Sequence, residues 1–176
     1  MASVQNQLNQ LNKNFKINNI NNQQDIKLKN GGRYVGQVIN GLREGKGIEY
    51  YNVCERYEGD FRNDKKEGKG IYYWNDGETY EGDLKNDKSE GKGIFYYSSG
   101  DRYEGHWKNG KKEGKGIEYY HDGDRYEGDW KNGKKEGKGI YYYNNGDREM
   151  GDYSDGCPKG KFIMLTRNGE VKVNYY

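Results

Sequence analysis

Hydrophobic residues, histidine, cysteine pairs and long apolar runs are all scarce in this chain, and each scarcity removes a class of protein. Hydrophobic residues are 31% of 176, and mean hydropathy is −1.40. That is too polar for an ordinary two-layer core and close to the composition of disordered chains. No apolar run approaches the ~18 residues that cross a bilayer. With no apolar leader and no Asn-x-Ser/Thr sequon, a reduced, cytoplasmic setting is expected. Cys54 and Cys157 match no CxxC pattern. They fall at opposite edges of the expected sheet, roughly 40 Å apart at ~4.8 Å per strand, so no internal disulfide is expected.

Catalytic chemistry is equally thin. His106 and His121 each stand where other units carry another polar residue, and they read as surface substitutions. No His-Glu-x-x-His or nucleophile-elbow motif occurs. The recurring Gly-Lys-Lys-Glu-Gly-Lys-Gly fails as a P-loop, having one residue too few between glycines and Gly where Ser or Thr must hold magnesium. The chain is therefore expected not to be an enzyme and to use no cofactor, metal or small-molecule substrate. Charge of one sign is also missing. Residues 1–33 carry five bases and one acid, residues 34–148 carry 21 bases and 23 acids, and residues 149–176 carry four of each. A mixed surface of that kind lacks the field of a nucleic-acid binder, and no nucleic-acid partner is expected.

What is present is a repeat. Tyr126 to Arg148 reads YEGDWKNGKKEGKGIYYYNNGDR, and units 34–56, 57–79, 80–102 and 103–125 keep its 23-residue frame without insertion. A period in this range means a repeat architecture. Within a unit, Tyr126, Gly128 and Trp130 alternate with acids, as on a strand. Lys131 to Glu136 reads as a loop and Gly137 to Tyr143 as a second strand. Ile140 and Tyr142 recur in every unit while the residue between them varies, so Tyr126, Trp130, Ile140 and Tyr142 are expected to share the packing face. The recurring Gly128, Gly137 and Gly139 imply close approach of aromatic rings to backbone, or a bend. Asn144 to Asp147 reads as a turn with Gly146 at positive φ; Cys54 replaces that glycine in the first unit, so that turn should differ.

The ends deviate. Residues 1–25 form an Asn/Gln-rich tail, expected to be disordered alone; Val4, Leu8, Leu11 and Phe15 mark one face of a helix that could dock on a partner or on the array. The array itself is expected over 26–176, with a degraded sixth unit at 149–171 and a possible last strand at Val171, Val173 and Tyr175. The predicted fold is all-β: a single elongated, curved antiparallel sheet of consecutive hairpins.

The run YEGxWKNGKKEGKGxxYYxxGDRYEG resembles the MORN repeat (membrane occupation and recognition nexus), strongly over 34–148 and weakly over 149–171. The resemblance implies a trough-like sheet with an aromatic interior. It also implies a non-catalytic scaffold or adaptor that binds protein partners in a larger assembly, cytoskeletal or axonemal (cilium or flagellum). Two surfaces are candidates. One is aromatic: Tyr57, Tyr80, Tyr103, Trp107, Tyr126 and Trp130. The other is a basic loop edge: Lys65, Lys66, Lys88, Lys111, Lys112, Lys134 and Lys135. That edge supports an alternative reading as a peripheral tether on anionic lipid, weakened by the interleaved Glu67, Glu90, Glu113 and Glu136. A third reading is a regulatory subunit of an enzyme on another chain.

Overall fold

The computed structural model describes residues 23–176. Val4, Leu8, Leu11 and Phe15 lie outside the described residues. Fourteen strands follow one another: β1 Gln23–Lys27, β2 Arg33–Ile39, β3 Leu42–Tyr50, β4 Arg56–Arg62, β5 Lys65–Tyr73, β6 Thr79–Lys85, β7 Lys88–Tyr96, β8 Arg102–Lys108, β9 Lys111–Tyr119, β10 Arg125–Lys131, β11 Lys134–Tyr142, β12 Arg148–Ser154, β13 Cys157–Leu165 and β14 Val171–Tyr175. Each pairs antiparallel with the next, and among the described residues the sheet stays open, with β1 and β14 as its edges.

The expected loop at Lys131 to Glu136 is shorter than its composition suggests. Only Asn132 and Gly133 turn the chain, with φ of 51° and 87°, and β11 already starts at Lys134. Two consecutive positive φ values make the two-residue hairpin turn whose twist matches the flanking strands. The same turn recurs at Asn40-Gly41, Asn63-Asp64, Asn86-Asp87, Asn109-Gly110 and Asp155-Gly156. At the other edge, Gly31, Gly77, Gly100, Gly123, Gly146 and Gly169 have φ of 88° to 95°. The first-unit turn differs: the Asn52 side chain accepts the backbone N–H groups of Cys54 and Glu55. Both cysteines are free and exposed.

Register decides the faces, and it corrects the expected packing set. Tyr126 pairs with Tyr141, Gly128 with Gly139 and Trp130 with Lys135, while Ile140 pairs with Glu127. Tyr126 and Trp130 therefore share a face with the variable residue Tyr141, whereas Ile140 and Tyr142 lie on the opposite face. A bulge between Gly128 and Trp130 holds Glu136 and Gly137, and Gly137 has φ of 66°. Because the bulge adds an even number of residues, it bends the strand without exchanging its faces.

The aromatic face is the core. The Tyr126 ring lies flat over two facing glycines: a Cβ on Gly139 would sit 2.4 Å from Cε2 of that ring, and one on Gly128 would sit 2.4 Å from its Oη. Both expected roles of glycine thus occur, ring approach at Gly128 and Gly139 and a bend at Gly137. Trp130 meets Tyr126 edge-on at 5.4 Å and Tyr103 edge-on at 5.1 Å, so one indole stitches two units together. Its Nε1 donates to the Gly116 carbonyl at 3.2 Å, and Trp107 does the same to Gly93 at 3.1 Å. Edge-to-face pairs add ~0.5–1.5 kcal/mol beyond area burial.

The sixth unit reaches the same packing by an exchange. Glu149 stands at the tyrosine position and Phe162 at the second glycine position. The Phe162 ring, entering from the opposite strand, covers Gly151, whose Cβ would meet it at 2.5 Å. Glu149 is buried, and it accepts hydrogen bonds from Asn174 Nδ2 (2.6 Å) and from the hydroxyls of Tyr143 and Tyr176 (3.1 Å each).

Candidate binding trough

The proposed aromatic surface sits inside the molecule. Tyr57, Tyr103 and Tyr126 are 0% exposed, Tyr80 1%, Trp130 5% and Trp107 8%. These six rings hold the sheet together and offer little surface to a partner.

The basic edge divides. Lys65, Lys88, Lys111 and Lys134 are exposed beside the two-residue turns. Lys134 pairs with Asp155 of the next turn at 2.9 Å, and Lys65 donates to Asn86 Oδ1 at 3.2 Å. Lys66, Lys112 and Lys135 instead fold onto the aromatic face. Lys112 pairs with Glu118 and lies 4.4 Å from the Trp130 ring centre and 4.6 Å from that of Tyr103. Lys66 lies over Tyr51, Tyr57 and Tyr72 and reaches Glu49 at 3.5 Å. Lys135 lies over Tyr120, Tyr126 and Tyr141 and donates to the Tyr120 hydroxyl at 2.7 Å. Burial holds its ammonium below the ordinary lysine range, with Lys112 adding to the effect and Glu118 opposing it. Arg43 fills the corresponding place in the first unit, over Phe61 and paired with Glu49 at 2.9 Å.

The interleaved glutamates join the turns. Glu44, Glu67, Glu90, Glu113 and Glu136 each accept the backbone N–H of the next unit's turn residue, at 2.8–3.2 Å. Their carboxylates satisfy turn donors that the strand ladder leaves over.

The other face is open. A trough of about 1400 Å³ runs across β5 to β13. Its floor is the backbone of the paired glycines. One row beside it alternates Ile71, Glu81, Ile94, Glu104, Ile117, Glu127 and Ile140, then turns apolar at Met150 and Ile163. Further out, Arg56, Arg102 and Arg125 stack on Tyr73, Tyr119 and Tyr142 with the guanidinium carbon 3.8–4.3 Å from each ring centre. On the far side of the floor, Lys69, Lys115 and Lys138 pair with Asp83, Asp129 and Asp152 at 2.5, 2.7 and 3.5 Å. His106 takes the aspartate place in the fourth unit and faces the trough. His121 lies in a turn, its Nδ1 3.0 Å from Asp101. Among the described residues, no cluster of His, Cys, Asp or Glu has the geometry of a metal site.

Sequence reasoning missed this face, although the signal was available. A two-residue Asn-Gly turn at 132–133 makes the pairing sum odd, and the two extra residues of the bulge keep it odd, so Ile140 falls opposite an odd-numbered residue and on the face away from Tyr126.

A model of the MORN repeat matches residues 34–52, 57–79, 80–102, 103–125 and 126–148. The chain is a MORN-repeat protein. Curated protein sequences yield no significant match. Among solved structures, this MORN-repeat chain is similar to the Drosophila melanogaster SAS-4 (dCPAP) TCP domain, solved in complex with a proline-rich motif of Ana2 (dSTIL). The TM-score is 0.52 with 16% identity, over 88% of this chain and 90% of that one. The TCP10 domain of Danio rerio CPAP, solved with a peptide of STIL, matches more loosely, with TM-score 0.30 and 15% identity over 87% and 83% of the two chains. At such identities the likeness is one of fold.

Proposed function

We propose that this MORN-repeat chain is a non-catalytic scaffold or adaptor that receives an extended segment of a protein partner along its trough. The observation that carries the reading is the continuous open face across β5 to β13, opposite a core that is already filled. Its volume of about 1400 Å³ exceeds the ~300–1,000 Å³ of a small-molecule pocket, and it is long rather than deep. The spacing also suits a chain. Isoleucines recur every second strand, ~9.6 Å apart, and three residues of polyproline II span ~9.3 Å. A segment in that conformation would present every third side chain to an isoleucine. The SAS-4 domain of similar fold was solved with a proline-rich motif bound, which supports the same mode here. The family resemblance is what supports placement in a cytoskeletal or axonemal assembly.

The test is native pull-down with the wild-type chain and with an Ile94→Arg/Ile117→Arg variant. Glu81, Glu104 and Glu127 neighbour these positions, so the new arginines find acids and the melting temperature should hold. Proteins recovered with wild type should fall at least tenfold with the variant. Undiminished recovery of the same proteins from a folded variant would remove the trough as the binding site. Salt-sensitive binding to phosphatidylserine vesicles in place of protein recovery would favour the lipid reading, which now rests on the outward lysines alone.

A further inference from the structure

From β3 to β11, each second-strand lysine has an aspartate opposite it on the following strand, with one exception; beyond them, Lys161 of β13 lies opposite Tyr175 of the last strand. Lys46 pairs with Asp60 at 2.8 Å, and Lys69, Lys115 and Lys138 continue the column as described. In the middle of the array the register instead sets Lys92 opposite His106. Both side chains are exposed and line the trough.

The nearest acid, Asp83, feels the charge of Lys92 but is already committed elsewhere. Asp83, on the preceding strand, is held by Lys69 at 2.5 Å and otherwise accepts the backbone N–H of Lys92 at 3.0 Å. On the following strand, Lys115 is bound to Asp129. Glu104, two residues before His106, lies across the floor within 3.8 Å of Arg102. Among the described residues Lys92 has no carboxylate within ion-pair distance. Lys92 and His106 are both hydrogen-bond donors, since a neutral imidazole still carries one N–H. They stand next to Ile94, two residues from Lys92 on the same strand face.

We propose that Lys92 and His106 anchor a carboxylate side chain of the partner segment, an Asp or Glu placed beside an apolar residue that seats on Ile94 or Ile117. The inference rests on the trough reading and adds its polarity and register. The partner completes the lysine–aspartate column at the one position within residues 34–148 where the chain leaves it incomplete. Repetition elsewhere makes the trough nearly uniform along its length. The pairing of Lys92 with a second donor, His106, sets this place apart from Lys161 at the end of the trough, and an ion-assisted hydrogen bond there selects among otherwise similar apolar sequences.

A random dodecapeptide display library panned against the full chain tests this, with His106→Asp and Ile94→Arg/Ile117→Arg panned in parallel. His106→Asp installs the residue found at Asp60, Asp83, Asp129 and Asp152, so the fold is retained. Peptides enriched on wild type should carry Asp or Glu at one fixed position, and changing that residue to Asn should weaken binding about tenfold. The preference should vanish on His106→Asp, which supplies Lys92 with its own acid. Trough-binding peptides without a fixed acid, or an acid preference that survives His106→Asp, would overturn the anchor and leave the trough reading standing. Peptides enriched equally on the double-arginine variant, or no enrichment at all, would overturn both.

Discussion

The two faces of this sheet use the same repeat differently. On one, rings lie flat on glycines, stand edge-on to each other and leave almost no exposed surface. On the other, isoleucines alternate with glutamates and lysines pair with aspartates around an open groove. The first face explains why so polar a chain folds. The trough face repeats its isoleucines and tyrosines around an open groove, while the residue that varies between units, as at Tyr141, lies on the packed face. Each face recurs unit after unit, so regularity alone does not distinguish packing from binding. Burial and register do.

The largest effect that should separate the faces is alkaline unfolding. Burial pushes Tyr34 and Tyr153 up to about 12, and it raises Tyr57, Tyr80, Tyr103 and Tyr126 in the same direction. A raised folded-state pKa means that the folded chain keeps its protons longer. The stability these groups contribute is complete below the unfolded tyrosine value near 10 and is lost as pH rises through about 12. At ~1.4 kcal/mol per pH unit for each group, Tyr34 and Tyr153 alone withdraw on the order of 5 kcal/mol across that window. Denaturant melts followed from pH 8 to 12 should show a steep fall coinciding with phenolate absorbance. A flat profile above pH 10 would mean that the rings are not held in the dry face described.

One glycine should break that face locally. Gly139→Val would drive its side chain into the Tyr126 ring, 2.4 Å from the Cβ position, with the Gly128 backbone strand behind it. Either the ring leaves its bed or the hairpin opens, and losing a buried tyrosine costs ~3–5 kcal/mol. Calorimetry of this variant should show a lowered or split transition, because the units on either side stack through the same ring.

How far this was legible follows from particular residues. The period, the strands and the Gly146-type turn come from spacing that only a β-hairpin array satisfies. The faces do not follow from it, because the constancy of Ile140 and Tyr142 reads as packing although it marks a repeated surface. The Asn132-Gly133 turn carries the missing parity, which the bulge preserves. Lys135 reads from the sequence as part of a basic loop edge because lysine is rarely buried. Its place depends on Tyr120, Tyr126 and Tyr141 converging from different strands, which no local pattern encodes. The Glu149 and Phe162 exchange looked like decay of the repeat. It conserves the ring above Gly151 by supplying it from the opposite strand, a compensation visible only once β12 and β13 are paired.

The smallest effect belongs to the trough. Ile117→Thr removes apolar surface from a half-buried side chain between Glu104 and Glu127, and threonine keeps the β-branched shape that suits a strand. Ile117 belongs neither to the aromatic core nor to the side chains packed against it, so no cavity opens in that core. The expected loss is below ~1 kcal/mol, the range of a substitution away from the core. In the same denaturant melts it should be hard to distinguish from wild type, while the peptides selected on the trough should bind it less tightly. A loss as large as that of Gly139→Val would mean that both faces carry the fold. The trough would then be a second core, and the distinction between the face that packs and the face that binds would collapse.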